Sequence, residues 1–83
     1  MQSDNLQGLV EFIAHSLVDH PTKVSVDKYQ HGKTINLALN VAKEDMGRVI
    51  GKGGRVANSM RTLLKVAAAR EGNHAKLEIV EPR

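Results

Sequence analysis

The run Arg48-Val49-Ile50-Gly51-Lys52-Gly53-Gly54-Arg55-Val56 concentrates the residue types in this 83-residue chain that could do chemistry. Its three glycines allow positive φ and let another backbone approach closely. Lys52 and Arg55, with Arg48 just upstream, add cations suited to phosphate. An amphipathic segment starts at Arg55, so the loop lies where a helix leaves N–H groups unpaired at the positive end of its dipole. The combination predicts a clamp for a phosphodiester backbone, with no bond made or broken.

Other chemistries fit less well. Gly47-Arg48-Val49-Ile50-Gly51-Lys52 is close to a P-loop, but three residues separate the glycines where four are needed. Gly53 also stands where Ser or Thr should hold Mg²⁺. His15, His20, His31 and His74 are scattered, and the spacing of His15 and His20 does not put them on one helical face as metal ligands. Asp4, Asp19 and Asp27 read as caps or turns. The absence of cysteine excludes disulfides and thiolate metal sites. The expectation is a protein that is not an enzyme and needs no cofactor.

The net charge of +3 is unevenly spread. Residues 1–42 carry −1, residues 43–70 carry +5 and residues 71–83 carry −1. Positive charge clustered about the glycine loop is the footprint of a nucleic-acid binder. No apolar run approaches the ~18 residues of a membrane span. The polar start Met1-Gln2-Ser3-Asp4-Asn5 lacks the basic region of a signal peptide, so a cytoplasmic location is expected.

Several elements must position the loop. Leu6, Leu9, Val10, Ile13 and Leu17, widened by Phe12 and Val18, predict a helix from about Asp4 to Asp19. Asp4 and Gln7 would form its capping box, and Pro21 would end it. Val24 to Tyr29 and Ile35 to Val41 alternate like strands and flank a turn at Gln30-His31-Gly32-Lys33, which predicts a hairpin. Lys43 to Ile50 reads as a short helix. Glu44 and Asp45 suit its N-terminus, Val49 and Ile50 face the core, and Gly47 marks close backbone packing. After the loop, Val56, Met60, Leu63, Leu64 and Ala67 form one helical stripe, with Gly72 as the left-handed stop. Leu77 and Ile79 belong to a closing strand, and Glu81-Pro82-Arg83 to a frayed end. The result is one α+β domain over residues 1–83, ordered α-β-β-α-α-β, with a small sheet packed against helices on one face.

Ile50-Gly51-Lys52-Gly53-Gly54 resembles the I-G-x-x-G signature of KH domains, and the element order resembles the type II arrangement. Over nearly its whole length the chain is most similar to the small bacterial single-KH proteins of the KhpA family, the YlqC-like group. That resemblance implies a three-stranded sheet and a GxxG loop at 51–54 that grips single-stranded RNA without catalysis. Gly51, Lys52, Gly53 and Gly54 would take the phosphates. Lys52 and Arg55 would supply charge, with Arg48 beside them, and Val49, Ile50 and Val56 would line the base groove. Ala57 stands where many KH domains carry a large aliphatic, which implies a groove that is shallower or differently shaped. With one Phe, one Tyr and no Trp, stacking platforms are scarce, so one copy should bind weakly and with low specificity.

The resemblance further implies an RNA chaperone or post-transcriptional regulator. It would act as a homodimer or with a second KH protein of the KhpB (Jag) type, in cell-wall growth, cell length and division. Two alternatives stay open. One is an interaction or dimerisation module whose RNA binding is weak or secondary. The other is a DNA-binding helix-turn-helix, for which Val56-Ala57 offer few base-reading groups.

Overall fold

The structure, a computed structural model, describes residues 4–82, and of Asp4 only its place in a helix. The expected cap at Asp4 and the end at Arg83 lie outside the described residues.

Helix α1 spans Asp4–Leu17 and buries Leu6, Val10 and Ala14. It stops short of Asp19, and Pro21 opens a 3-10 turn over Pro21–Lys23. Phe12 does not widen the apolar face but is 71% exposed. Two residues beyond Val10 it stands about 200° round the helix, on the solvent side. Gln7 Nε2 donates to the Val26 carbonyl at 2.6 Å and ties α1 to the sheet.

Strand β1, Ser25–His31, pairs antiparallel with β2, Thr34–Asn40, from Ser25↔Asn40 to His31↔Thr34. The connection is tighter than expected: only Gly32 and Lys33 lie outside the strands, with Gly32 at φ +60°. Ile35, Leu37 and Leu39 are buried on β2, each side chain stabilising the fold by roughly 2 kcal/mol. Strand β3, His74–Val80, lies parallel to β2 from Thr34↔His74 to Asn40↔Val80, giving the order β1-β2-β3. Parallel neighbours need a crossover. Here it consists of a 3-10 turn at Lys43–Asp45, helix α2 (Met46–Ile50), the glycine loop and helix α3 (Arg55–Ala69). The fold is the α+β arrangement expected, with the sequence's own element order.

Helix α3 packs on β3, but its buried stripe is Ala57, Met60, Leu64 and Ala68. The expected stripe is therefore rotated: Val56 and Ala67 are half-buried and Leu63 is 52% exposed. Alanine, neutral in an amphipathicity count, provides the close contact face. Ala57 belongs to this core face, so its size does not set the depth of a surface groove. At the far end the Asn73 N–H bonds to the Ala68 carbonyl and the Gly72 N–H to the Ala69 carbonyl, with Gly72 at φ +74°. This is the Schellman closure that a glycine permits.

Candidate nucleic-acid interface

The loop is made where α2 stops. Gly51 leaves the helix at φ +79°, its N–H still bonded to the Gly47 carbonyl at 2.9 Å. Gly53 and Gly54 follow at φ +66° and +81°, and the Gly54 N–H closes on the Gly51 carbonyl at 3.1 Å. Base and tip differ. A Cβ on Gly51 would stand 2.6 Å from Val56 Cγ2 and 2.8 Å from the Val56 nitrogen, so the base admits no side chain. A Cβ on Gly53 would meet open space, and one on Gly54 only Asn58 Nδ2 at 3.6 Å. Lys52 and Gly53 are exposed, and no side chain caps the start of α3. The arrangement offers backbone N–H donors, the positive helix end and a lysine to an anion.

The predicted site residues do not all gather there. Gly51, Lys52, Gly53, Gly54 and Arg55 form the loop and its downstream shoulder. Ile50 lies to one side, lining a shallow hollow with Lys43, Met46, Glu81 and Pro82. Val56 lies in another, beside α1, with Ile13, Leu17 and Leu63. Val49 is fully buried, so it supports the loop from within the core and lines no groove. Gly47 is exposed and a Cβ there would meet nothing within 4 Å, so it does not mark close packing.

Arg48 is engaged by the protein itself. Its Nη2 lies 2.9 Å from Asp19 Oδ2 and its Nε 3.7 Å from Asp45 Oδ1. Asp45, 1% exposed, accepts the backbone N–H groups of Asp19 and His20, each at 3.0 Å. His20 Nδ1 stands 3.1 Å from Asp45 Oδ2. Burial alone would raise the Asp45 pKa. The Asp19 N–H, the His20 ring and the His20 N–H outweigh it and hold the carboxyl below its usual value. Asp45 therefore does more than complement a helix dipole: it fastens the end of α1 to the helix that carries the loop. Its partners lie 25 and 26 residues away, and no local pattern announced them.

Beyond the loop, α3 has two unlike flanks. Toward β3, Arg61 Nε donates to the Leu77 carbonyl at 3.2 Å and Nη1 to Asn58 Oδ1 at 3.1 Å, with Lys65 a turn further on. Toward α1, Leu63 and Val66 are exposed beside Leu9, in a hollow of about 540 Å³. Among the described residues, no three His, Asp or Glu side chains converge as metal ligands, and no helix is long and apolar enough to cross a membrane.

Comparison with known proteins adds a family. The profile of the KhpA/KhpB KH domain matches residues 7–79. The RNA-binding protein KhpA of Clostridium acetobutylicum is 47% identical over 75 residues, covering 90% of this chain and all of the relative. That of Halalkalibacterium halodurans is 40% identical over 76 residues, 92% of this chain and all of the relative. That of Borreliella burgdorferi is 40% identical over 73 residues, 88% of this chain and 89% of the relative.

Proposed function

The chain belongs to the KhpA/KhpB KH-domain family, and we propose that it binds single-stranded RNA without catalysis, through the Gly51–Gly54 loop. The observation that carries this reading is the bare tip: exposed Lys52 and Gly53, with open space above them, at the uncapped start of α3. A sugar–phosphate chain can rest directly on such a surface. KH loops clamp about four nucleotides in this way. Lys52 and Arg55 supply charge, Gly51 and Gly54 shape the bed, and Ile50 and Val56 border it. Arg48 contributes by holding the loop's helix in place. Relatives that carry the name RNA-binding protein support the ligand class.

On this reading the protein is a cytoplasmic RNA chaperone or post-transcriptional regulator. It works as a homodimer or with a second KH protein of the KhpB (Jag) type, in cell-wall growth, cell length and division. Lys52→Asp combined with Gly53→Asp should leave the circular dichroism spectrum unchanged and abolish binding to a single-stranded oligoribonucleotide. Binding by wild type should weaken with salt, at a log–log slope of about −0.7 per phosphate contacted. Undiminished affinity in a folded double variant would sink the reading.

A second reading, an interaction or dimerisation module with secondary RNA binding, has its own observation. Leu63 and Val66 are 52% and 53% exposed on one flank of α3. Sedimentation together with an RNA pulldown of the wild-type protein separates the two: self-association without crosslinkable RNA favours the module.

A further inference from the structure

The helices cover one face of the sheet and leave the other open. Burial alternates along β2, so Ile35, Leu37 and Leu39 face the helices while Thr34, Asn36, Ala38 and Asn40 face away. The strand registers carry this second face across the sheet. Tyr29 pairs with Asn36, and Asn36 with Lys76. One row nearer the hairpin turn, His31 pairs with Thr34, and Thr34 with His74. Neither row contains an acid; Asp27 and Glu78 begin the next one. Tyr29 is 65% exposed although its ring would stabilise the fold if buried. It stands about 10 Å from Lys76, two strand spacings away.

We propose that these two rows form a second contact for single-stranded RNA, separate from the loop: a base stacks on Tyr29, Asn36 offers its amide to the base edge, and Lys76 holds an adjacent phosphate. An aromatic ring beside a basic track is what single-strand binders use, and a ring of any base satisfies it. The face meets the flank of α3 at the end of that helix away from the loop. A cavity of about 630 Å³ at the rim of β3 is lined by Lys65 of α3 together with Thr34, His74 and Lys76. Lys65 follows Asn58 and Arg61 along the helix that starts at the glycine loop. A strand leaving Gly54 along that flank reaches the cavity after about 15 Å of helix rise and turns onto the open face. The inference rests on the RNA-binding reading for its ligand, but not on the loop for its chemistry.

The chain has one tyrosine and no tryptophan, so its intrinsic emission reports this position alone. A tetranucleotide and a dodecanucleotide of mixed single-stranded RNA are titrated while tyrosine emission and RNA anisotropy are followed. The expected result is quenching of Tyr29 by the longer strand and about tenfold tighter binding than the tetramer, which Tyr29→Ala with Lys76→Glu removes without changing tetramer affinity. Unchanged emission at saturation with the longer strand, or undiminished length dependence in the double variant, overturns the site. The Lys52→Asp, Gly53→Asp protein keeps the two ideas apart. If it loses the tetramer while wild-type Tyr29 stays silent, the loop reading stands and the sheet-face site falls. If it binds the tetramer normally while Tyr29 is quenched, the sheet-face site stands and the loop reading falls.

Discussion

Along α3, the flank turned to β3 carries Asn58, Arg61 and Lys65, whereas the flank turned to α1 carries Leu63 and Val66. On the first, polar groups are bonded within the chain and still present charge. On the second, exposed apolar surface lies over a hollow beside Leu9. On the two proposed readings, one helix would offer a nucleic acid and a protein partner different sides, and neither ligand would have to displace the other. Both flanks belong to the helix that starts at the loop, and at the loop's base a Cβ on Gly51 would stand 2.6 Å from Val56 Cγ2.

The start of that helix is where substitution should cost most. Gly51→Ala places a methyl group within 3 Å of Val56 at a φ of +79°, and should lower unfolding stability by about 3 kcal/mol in urea titrations. Gly53→Ala, with the same sign of φ and open space, should lose only about 1 kcal/mol. Next in size is the apolar flank. Leu63→Asp with Val66→Asp should weaken the self-association of the second reading at least about tenfold by sedimentation, with tetranucleotide affinity unchanged. Loss of both properties together would show that the flanks are not independent. Smaller again is Arg61→Ala, which removes two hydrogen bonds on the polar flank and should reduce stability by about 1 kcal/mol without altering sedimentation. The last effect appears only on acidification. The Asp45 pKa is lower in the native state than its ordinary 3.8, so its contribution is full above that value. It is lost as pH falls through the lowered native value. Asp45→Asn should flatten this acid-dependent part of the denaturation profile, measured by melting between neutral and acid pH.

The parts governed by local pattern were legible in the chain. The alternation from Ile35 to Val41 marks the central strand, and Gly51 to Gly54 mark the loop, because period and positive φ are properties of neighbouring residues. Helix faces were legible only in part. Val56 and Leu63 outweigh Ala57 and Ala68 in hydrophobicity, yet the alanines are the ones that allow close approach to the sheet and are buried. The clamp at Asp45 was hidden for another reason. An acid one position ahead of a helix suits the dipole, so nothing nearby pointed to Asp19 and His20. The pairing of Arg48 was hidden with it, which is why that arginine looked available for RNA. Tyr29, the last apolar residue of its run, gave no hint that it would stand on an open face.

The crossover between β2 and β3 has a use in the hands of an experimenter. A chain break after Lys52 would leave fragments 1–52 and 53–83, each keeping one of the two paired strands β2 and β3. Mixed together, the halves have a parallel ladder to recognise one another by, and their reunion rebuilds the nicked elbow. On the proposed reading, RNA that favours the assembled elbow would draw the pieces together, and such a pair would serve as a split reporter.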